Sequence, residues 1–199
     1  FELQLRIKRI FDIFFGVILL VCTAPFLILI GILIKIEDGG PIFYSQWRSG
    51  IGAKPFKIIK LRTMKINAEE NGPQWSKRND SRVTFTGKIL RRMRIDELPQ
   101  IISVIKGDMS LIGPRPERPI IEKEIKDKID FYNLKFLIKP GLSGWAQVNY
   151  PYGASLEDSK NKLTFDIYYI KNFSIWLDLL IFFKTIKLVI NASGSIPKK

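Results

Sequence analysis

The sequence predicts an α+β protein. A re-entrant membrane helix-break-helix over residues 1–36 leads into a mostly helical cytosolic domain over residues 37–199, which carries a small β-hairpin and interfacial amphipathic helices. Three observations predict this. Ile13 to Ile34 is a run of 22 residues without a charge, with Pro25 near its middle. Two short alternating segments flank a glycine turn. The rest is short, apolar-patterned stretches punctuated by proline and glycine, as expected of brief helices and connectors.

An uncharged run of 18 residues or more is long enough to enter a bilayer. Pro25 removes a helical hydrogen bond and crowds the carbonyl four residues back, so a kink or break is expected near Cys22 to Ala24. Each arm is then about 11 residues, or roughly 16 Å, about half of a hydrocarbon core. Residues 1–12 carry 3 of the 32 Lys and Arg, and the remaining 29 follow Ile34. A hairpin that enters and leaves on the cytoplasmic face agrees with the positive-inside tendency, and a Pro-kinked span is the alternative. Lys8, Arg9 and Asp12 precede the run and, with Pro25, are the candidate anchoring residues. Asp12 reads either as a solvated helix end or as part of an ion cluster at headgroup level.

Gly39-Gly40-Pro41 turns the chain into a strand over Ile42–Trp47, and Ser49–Gly52 turns it back into a second over Pro55–Arg62. Asn67 to Asp80 reads as a mobile polar loop. Thr86 to Arg94 is a helical segment with arginines at its end. Pro99 is placed as the first residue of a helix running through Lys106, which sets Asp96 and Glu97 at its N-terminus. Gly113 to Pro116 is a stiff loop, Glu117 to Tyr132 a charged helix, and Lys139 to Gly144 a turn-rich connector. Ser174 caps a last helix, Ile175–Ile190, that either lies flat at the headgroup boundary or packs in the core.

Composition narrows the chemistry. The 199 residues suit one compact domain, and 46% hydrophobic residues make the +13 net charge a property of a folded body, which calls for an anionic partner. There is no histidine, so Ser-His and Cys-His nucleophile pairs and His-containing zinc sites are excluded. The single Cys22 forms no internal disulfide.

Asp96-Glu97 is the acidic pair closely preceded by several arginines. Such pairs are commonly solvated helix caps. A carboxylate is also ionised at neutral pH and attacks phosphorus without a separate base, provided that cations, a metal or helix-end amides offset the repulsion. The candidate phosphate-site residues are Lys60, Arg62, Arg82, Arg91, Arg115 and Glu117. Among them Arg115 is favoured because Pro114 and Pro116 fix its backbone. Asp96 and Glu97 are the candidate Mg²⁺ ligands, since this ion takes one or two carboxylates and completes its shell with phosphate and water.

Taken together, Lys8-Arg9-Ile10-Phe11-Asp12, Gly40-Pro41-Ile42-Phe43, Lys60-Leu61-Arg62-Thr63-Met64, Asp96-Glu97-Leu98-Pro99-Gln100, Gly113-Pro114-Arg115-Pro116, Lys139-Pro140-Gly141 and Gly144-Trp145-Ala146-Gln147-Val148 resemble the motifs of the monotopic polyprenyl-phosphate phosphoglycosyl transferases, the bacterial sugar transferases. The resemblance runs from about Lys8 to Ile190. It implies a cytosol-facing catalytic domain on the bacterial inner membrane, Mg²⁺, and transfer of a sugar-1-phosphate from a UDP-sugar to undecaprenyl phosphate with release of UMP. It also implies a covalent phosphosugar on Asp96. Two departures stand out: Ala24-Pro25 where the family often has Ser-Pro, and Leu61 where it usually has Phe. The chain opens on Phe1, and Asn149 to Ser155 is similar to the larger members, which implies the catalytic domain of a longer protein. An anionic phospholipid membrane is the expected surface, a homodimer is compatible with the reading, and nucleic acid is not expected as a partner. The rival readings are a metal-dependent lipid phosphatase using the same acidic pair, a membrane-tethered nucleic-acid binder motivated by the charge, and a structural anchor.

Overall fold

The computed structural model describes residues 2–70, 72, 80–151, 153 and 155–191. Helix α1 (Glu2–Asp38) comes first, followed by β1 (Phe43–Ser49) and β2 (Pro55–Leu61), then α2 (Phe85–Arg92), a 3-10 turn (Ile95–Gln100) and α3 (Ile101–Lys106). Strand β3 (Ser110–Ile112), α4 (Pro119–Lys126), a 3-10 turn (Tyr132–Leu137), β4 (Gly141–Ser143) and α5 (Trp145–Asn149) lead into the long helices α6 (Leu156–Lys171) and α7 (Ile175–Ile190). The class is mixed helix and sheet, as the sequence predicts.

Helix α1 is the long apolar element, and it stays helical through Pro25, so of the expected kink or break the break is absent from its backbone. Proline's φ is itself helical and only one N–H is lost. The Thr23 hydroxyl donates to Leu19 O at 2.7 Å, a back-bond of the kind that accompanies helix bending. Both ends of α1 belong to the body. Near the start, Lys8 pairs with Asp178 at 2.6 Å, Arg9 donates to the Val104 and Ile105 carbonyls that end α3, and Gly16 lies against Ile105 and Val104. Near the end, Ile34 packs with Leu61 and Leu90, Asp38 takes the Arg62 guanidinium, and Glu37 accepts from Phe85 N–H at 2.8 Å. Asp12 is not a solvated end: it is buried, belongs to an ion cluster with Lys8 at 3.9 Å, and accepts from Ser110 Oγ at 3.0 Å and Leu111 N–H at 2.9 Å.

β1 and β2 form the expected antiparallel hairpin, with Tyr44 opposite Lys60 and Arg48 opposite Phe56. Directly opposed residues share a face, so Tyr44, Arg48 and Lys60 point the same way. Thr84 caps α2 by accepting from Gly87 N–H at 3.0 Å. A Cβ on Gly87 would stand 2.1 Å from Thr63 O, so this close approach of α2 to the chain after β2 requires glycine.

Four segments depart from expectation. Pro99 lies inside the 3-10 turn rather than opening a helix, because helical geometry begins at Ile95 after Arg94 adopts a left-handed φ of 57°. The charged helix expected from Glu117 is shorter: Arg118, held extended by the following proline, delays its start to Pro119. The connector at Lys139 contains β4, paired parallel with β3. Helix α6 was not expected at all, although Ser155 and Asp158 form a capping box at its start. Part of the Asn67–Asp80 loop and part of the Asn149–Ser155 stretch lie outside the described residues.

The core is distributed. Ile112, Ile138, Tyr169, Phe173 and Ile181 join β3, α6 and α7. Ile125, Ile129, Tyr132, Phe136 and Leu163 join α4 to α6. Ile58, Val104 and Met109 fix the hairpin onto α3. Helix α7 starts at Ser174 as expected, with Ile181 fully buried, whereas Trp176 is 81% exposed and Leu180, Phe183 and Ile190 are exposed with it.

Candidate active site

Packing of the hairpin on the 95–106 segment brings the sequence candidates together. The 3-10 turn presents Asp96 and Glu97, both only 9% exposed. Lys60 reaches across from β2 and donates to Glu97 Oε1 at 2.7 Å. Arg115, from the proline-fixed loop after β3, grips Glu97 as a fork, with Nη1 at 3.1 Å from Oε2 and Nη2 on Oε1. Asp96 accepts no hydrogen bond from the described residues, although Lys60, Arg91 and Arg115 all act on it electrostatically. Arg91 is steadied by donating from Nε to Thr63 Oγ1 at 2.8 Å.

The two adjacent carboxylates are therefore driven apart. Burial, and then the neighbouring Glu97 charge, push Asp96 up to about 6, against the pull of Lys60, Arg91 and Arg115. Burial acts upward on Glu97 too, but Arg115 and Lys60 outweigh it and hold Glu97 well below the usual carboxylate range. Lys60 is lowered by its own burial, partly offset by Glu97. At neutral pH both acids are ionised. Three cations surround them, an excess suited to receiving an anion.

Other predicted residues lie elsewhere in the arrangement. Arg62 does not face Asp96: its guanidinium is engaged by Asp38 and by the carbonyls of Pro41 and Met64, where it fastens the end of α1 to the hairpin. Arg82 is held by Asp80 and by Ala68 O. Glu117 is an acceptor beside the cations, paired with Arg48 at 3.1 Å. Lys8, Arg9 and Asp12 are fixed to the body through Asp178, α3 and β3. Pro25 is exposed within α1.

Sequence reasoning missed Arg48, Lys162 and Asp166. Burial raises Asp166 to about 7, with Lys135 and Lys162 opposing and Glu117 reinforcing the rise. The signals available were the strand period that sets Arg48 on the face of Lys60, and the Ser155 to Asp158 capping box that announces α6.

Among the described residues no three His, Cys, Asp or Glu side chains converge. Asp96 and Glu97 nevertheless meet the one or two carboxylates that Mg²⁺ takes when phosphate and water fill its other positions. Among the described residues Asp96 carries no hydrogen bond, and Glu97 Oε2 carries a single 3.1 Å bond from Arg115, so these are the oxygens with room for the ion.

Residues 3–192 match the family model described as bacterial sugar transferase. The chain is 46% identical over 189 residues to the UDP-N-acetylgalactosamine-undecaprenyl-phosphate N-acetylgalactosaminephosphotransferase of Aeromonas hydrophila, a match covering 95% of this chain and 45% of that protein. It is 37% identical over 182 residues to the UDP-glucose:undecaprenyl-phosphate glucose-1-phosphate transferase of Escherichia coli (strain K12), covering 90% and 39%. A protein of the same description from Caulobacter vibrioides is 40% identical over 183 residues, covering 90% and 68%. The chain thus spans less than half the length of the first two relatives.

Proposed function

The chain belongs to the bacterial sugar transferase family, and from that premise we propose that it moves a sugar-1-phosphate from a UDP-sugar to undecaprenyl phosphate in two steps through Asp96. One observation carries this reading. Of two consecutive carboxylates, Glu97 is tied to Lys60 and Arg115, whereas Asp96 accepts no hydrogen bond from the described residues and stands under the charge of the same cations.

In the first step an Asp96 oxygen attacks the phosphorus bearing the sugar. The bridging P–O bond breaks, its electron pair leaves with UMP, and an aspartyl phosphosugar forms. UMP departs as a phosphate with a second pKa near 6, so little general-acid assistance is needed, which suits a chain without histidine. In the second step an oxygen of undecaprenyl phosphate attacks the same phosphorus, and the aspartyl oxygen–phosphorus bond breaks to restore the carboxylate. Arg115 offers the diphosphate a two-pronged donor, and Arg91 and Lys60 balance charge on the transferring group. Glu97 holds Lys60 and Arg115 in place, and with Asp96 it would hold Mg²⁺. That ion, when bound, would neutralise phosphate charge.

The domain reading is a re-entrant membrane segment over 1–36, in which α1 bends at Pro25 without breaking, and a membrane-associated catalytic domain over 37–199. Its support is that both polar ends of α1 bond to one body. A full span would put Lys8 and Asp38 on opposite sides of a core about 30 Å thick, yet their partners Asp178 and Arg62 belong to the same packed domain. A re-entrant α1 keeps that body on a single face, and the positive balance favours the cytoplasmic face of the bacterial inner membrane. The apolar side of α7 around Trp176 and Phe183 supports an interfacial position for that helix.

The test is to incubate the protein in lipid discs with undecaprenyl phosphate, Mg²⁺ and each of UDP-N-acetylgalactosamine, UDP-glucose and UDP-galactose, and to follow UMP and lipid-linked sugar. Matched release of both supports the transferase. Release of inorganic phosphate or free sugar phosphate would point to a phosphatase instead.

A further inference from the structure

Arg115 is delivered by the segment 113–117, which is tied down on both sides. Gly113 N–H donates to Ser143 O at 2.8 Å, and Gly141 N–H to Pro114 O at 2.9 Å, so β4 fixes the beginning. At the other end Ser49 N–H donates to Glu117 O at 3.1 Å. Arg48 Nη1 donates to Pro116 O and to Glu117 Oε2, each at 3.1 Å, while Nη2 donates to Gln46 Oε1 at 2.7 Å. One guanidinium on β1 thereby holds both the backbone and the carboxylate that follow Arg115.

Glu117 sits between two guanidinium groups. It bonds that of Arg48, and it also feels the charge of Arg115, together with Lys135 and Lys162. Arg115 is the looser of the two, with its side chain 32% exposed against 12% for Arg48. A part-buried carboxylate that loses its partner pairs with the next cation in reach. Lys135 acts on Glu117 more strongly than Arg115 does, but it is already held by Glu122 at 3.1 Å and by the Tyr132 hydroxyl at 3.0 Å, which leaves Arg115, the cation meant for substrate.

We propose that Arg48 is a positioning residue for the donor diphosphate: by keeping Glu117 on β1, it prevents that carboxylate from drawing Arg115 away from Glu97 and from the incoming phosphate. The inference rests on Arg115 being the diphosphate clamp. Arg48 itself touches no substrate in this account. Its role depends on a planar fork that reaches Pro116 O, Glu117 and Gln46 at once, which a lysine cannot reproduce.

Binding of UDP to the full chain in lipid discs, measured by titration calorimetry, tests this. Arg48→Met weakens UDP binding about tenfold, the scale of one charge-assisted contact, and Arg48→Lys weakens it about threefold. Adding Glu117→Gln to Arg48→Met restores binding to within about threefold of wild type, a larger gain than the same change gives in the wild-type background. A merely structural Arg48 predicts the reverse, since removing both partners cannot repair a loosened loop. A double variant that binds no better than Arg48→Met overturns the proposal. If Arg48→Met does not fold, Arg48→Lys with and without Glu117→Gln asks the same question. Arg115→Ala separates the two layers: undiminished UDP binding there overturns the clamp reading and this inference with it, whereas weakened binding beside an unaffected Arg48→Met overturns this inference alone.

Discussion

Asp96 and Glu97 are neighbours in the chain with opposite surroundings: Glu97 takes Lys60 at 2.7 Å and the fork of Arg115, and Asp96 accepts no hydrogen bond from the described residues. Each hydrogen bond on a carboxylate lowers the availability of its lone pairs, so in the proposed reaction this partition gives the supporting part to Glu97 and the attack to Asp96.

Asp96→Asn abolishes turnover while leaving the fold intact or firmer. Its folded pKa, about 6, lies above the ordinary 3.8, so its share of stability is fully present at low pH and is lost as pH rises from 3.8 through about 6. At pH 7 the ionised side chain therefore weighs against folding, and the neutral amide removes that burden. The melting temperature is expected to hold or to rise by a few degrees, on the scale of about 2–4 °C per kcal/mol. Differential scanning fluorimetry checks it, and a fall of several degrees contradicts it.

The same shift sets the pH dependence of the reaction. An attacking carboxylate must be ionised, so kcat/KM falls with a slope of one below about pH 6. Glu97→Gln removes the like charge and leaves Lys60 and Arg115 to act on Asp96 alone. The acidic limb then moves to lower pH even as the rate drops. A limb that stays in place would separate Glu97 from the elevation of Asp96.

Arg115→Ala and Arg62→Ala separate the clamp from the structural arginine. The first lowers kcat/KM for the UDP-sugar by about ten- to a hundredfold with little change in melting. The second costs about 1–2 kcal/mol of stability, allowing for the partial exposure of Asp38, and leaves KM for the donor close to wild type. Parallel melts and initial rates decide between these patterns.

Same-side ends of α1 are tested by labelling. Leu3 and Ile36 are both well exposed near opposite ends of the helix. Leu3→Cys and Ile36→Cys, each in a Cys22→Ala background, should react with a membrane-impermeant maleimide only from the cytoplasmic side of oriented vesicles. Reaction from opposite sides would make α1 a span.

Much of the architecture was legible where local chemistry decides it. The hairpin follows from alternation and its glycine turn, and Ser174 marks the start of α7. Helix α6 was not legible from periodicity because a buried Asp166 interrupts its apolar stripe between Leu163 and Tyr169. Within the site, the Asp96, Glu97, Lys60 and Arg115 group was legible from charge and proline context. The structural role of Arg62 was not, since its partner Asp38 comes from the end of α1, 24 residues away. The ion cluster of Asp12 with Lys8 was legible from helical spacing, but its burial was not, since its partners at β3 lie nearly a hundred positions downstream.

The most direct measurement is peptide mass spectrometry of enzyme quenched after mixing with Mg²⁺ and the preferred UDP-sugar in the absence of undecaprenyl phosphate. The account predicts a mass increase of one phosphosugar on the peptide containing Asp96, which disappears when undecaprenyl phosphate is added. Steady accumulation of lipid-linked sugar with that peptide never modified would contradict it.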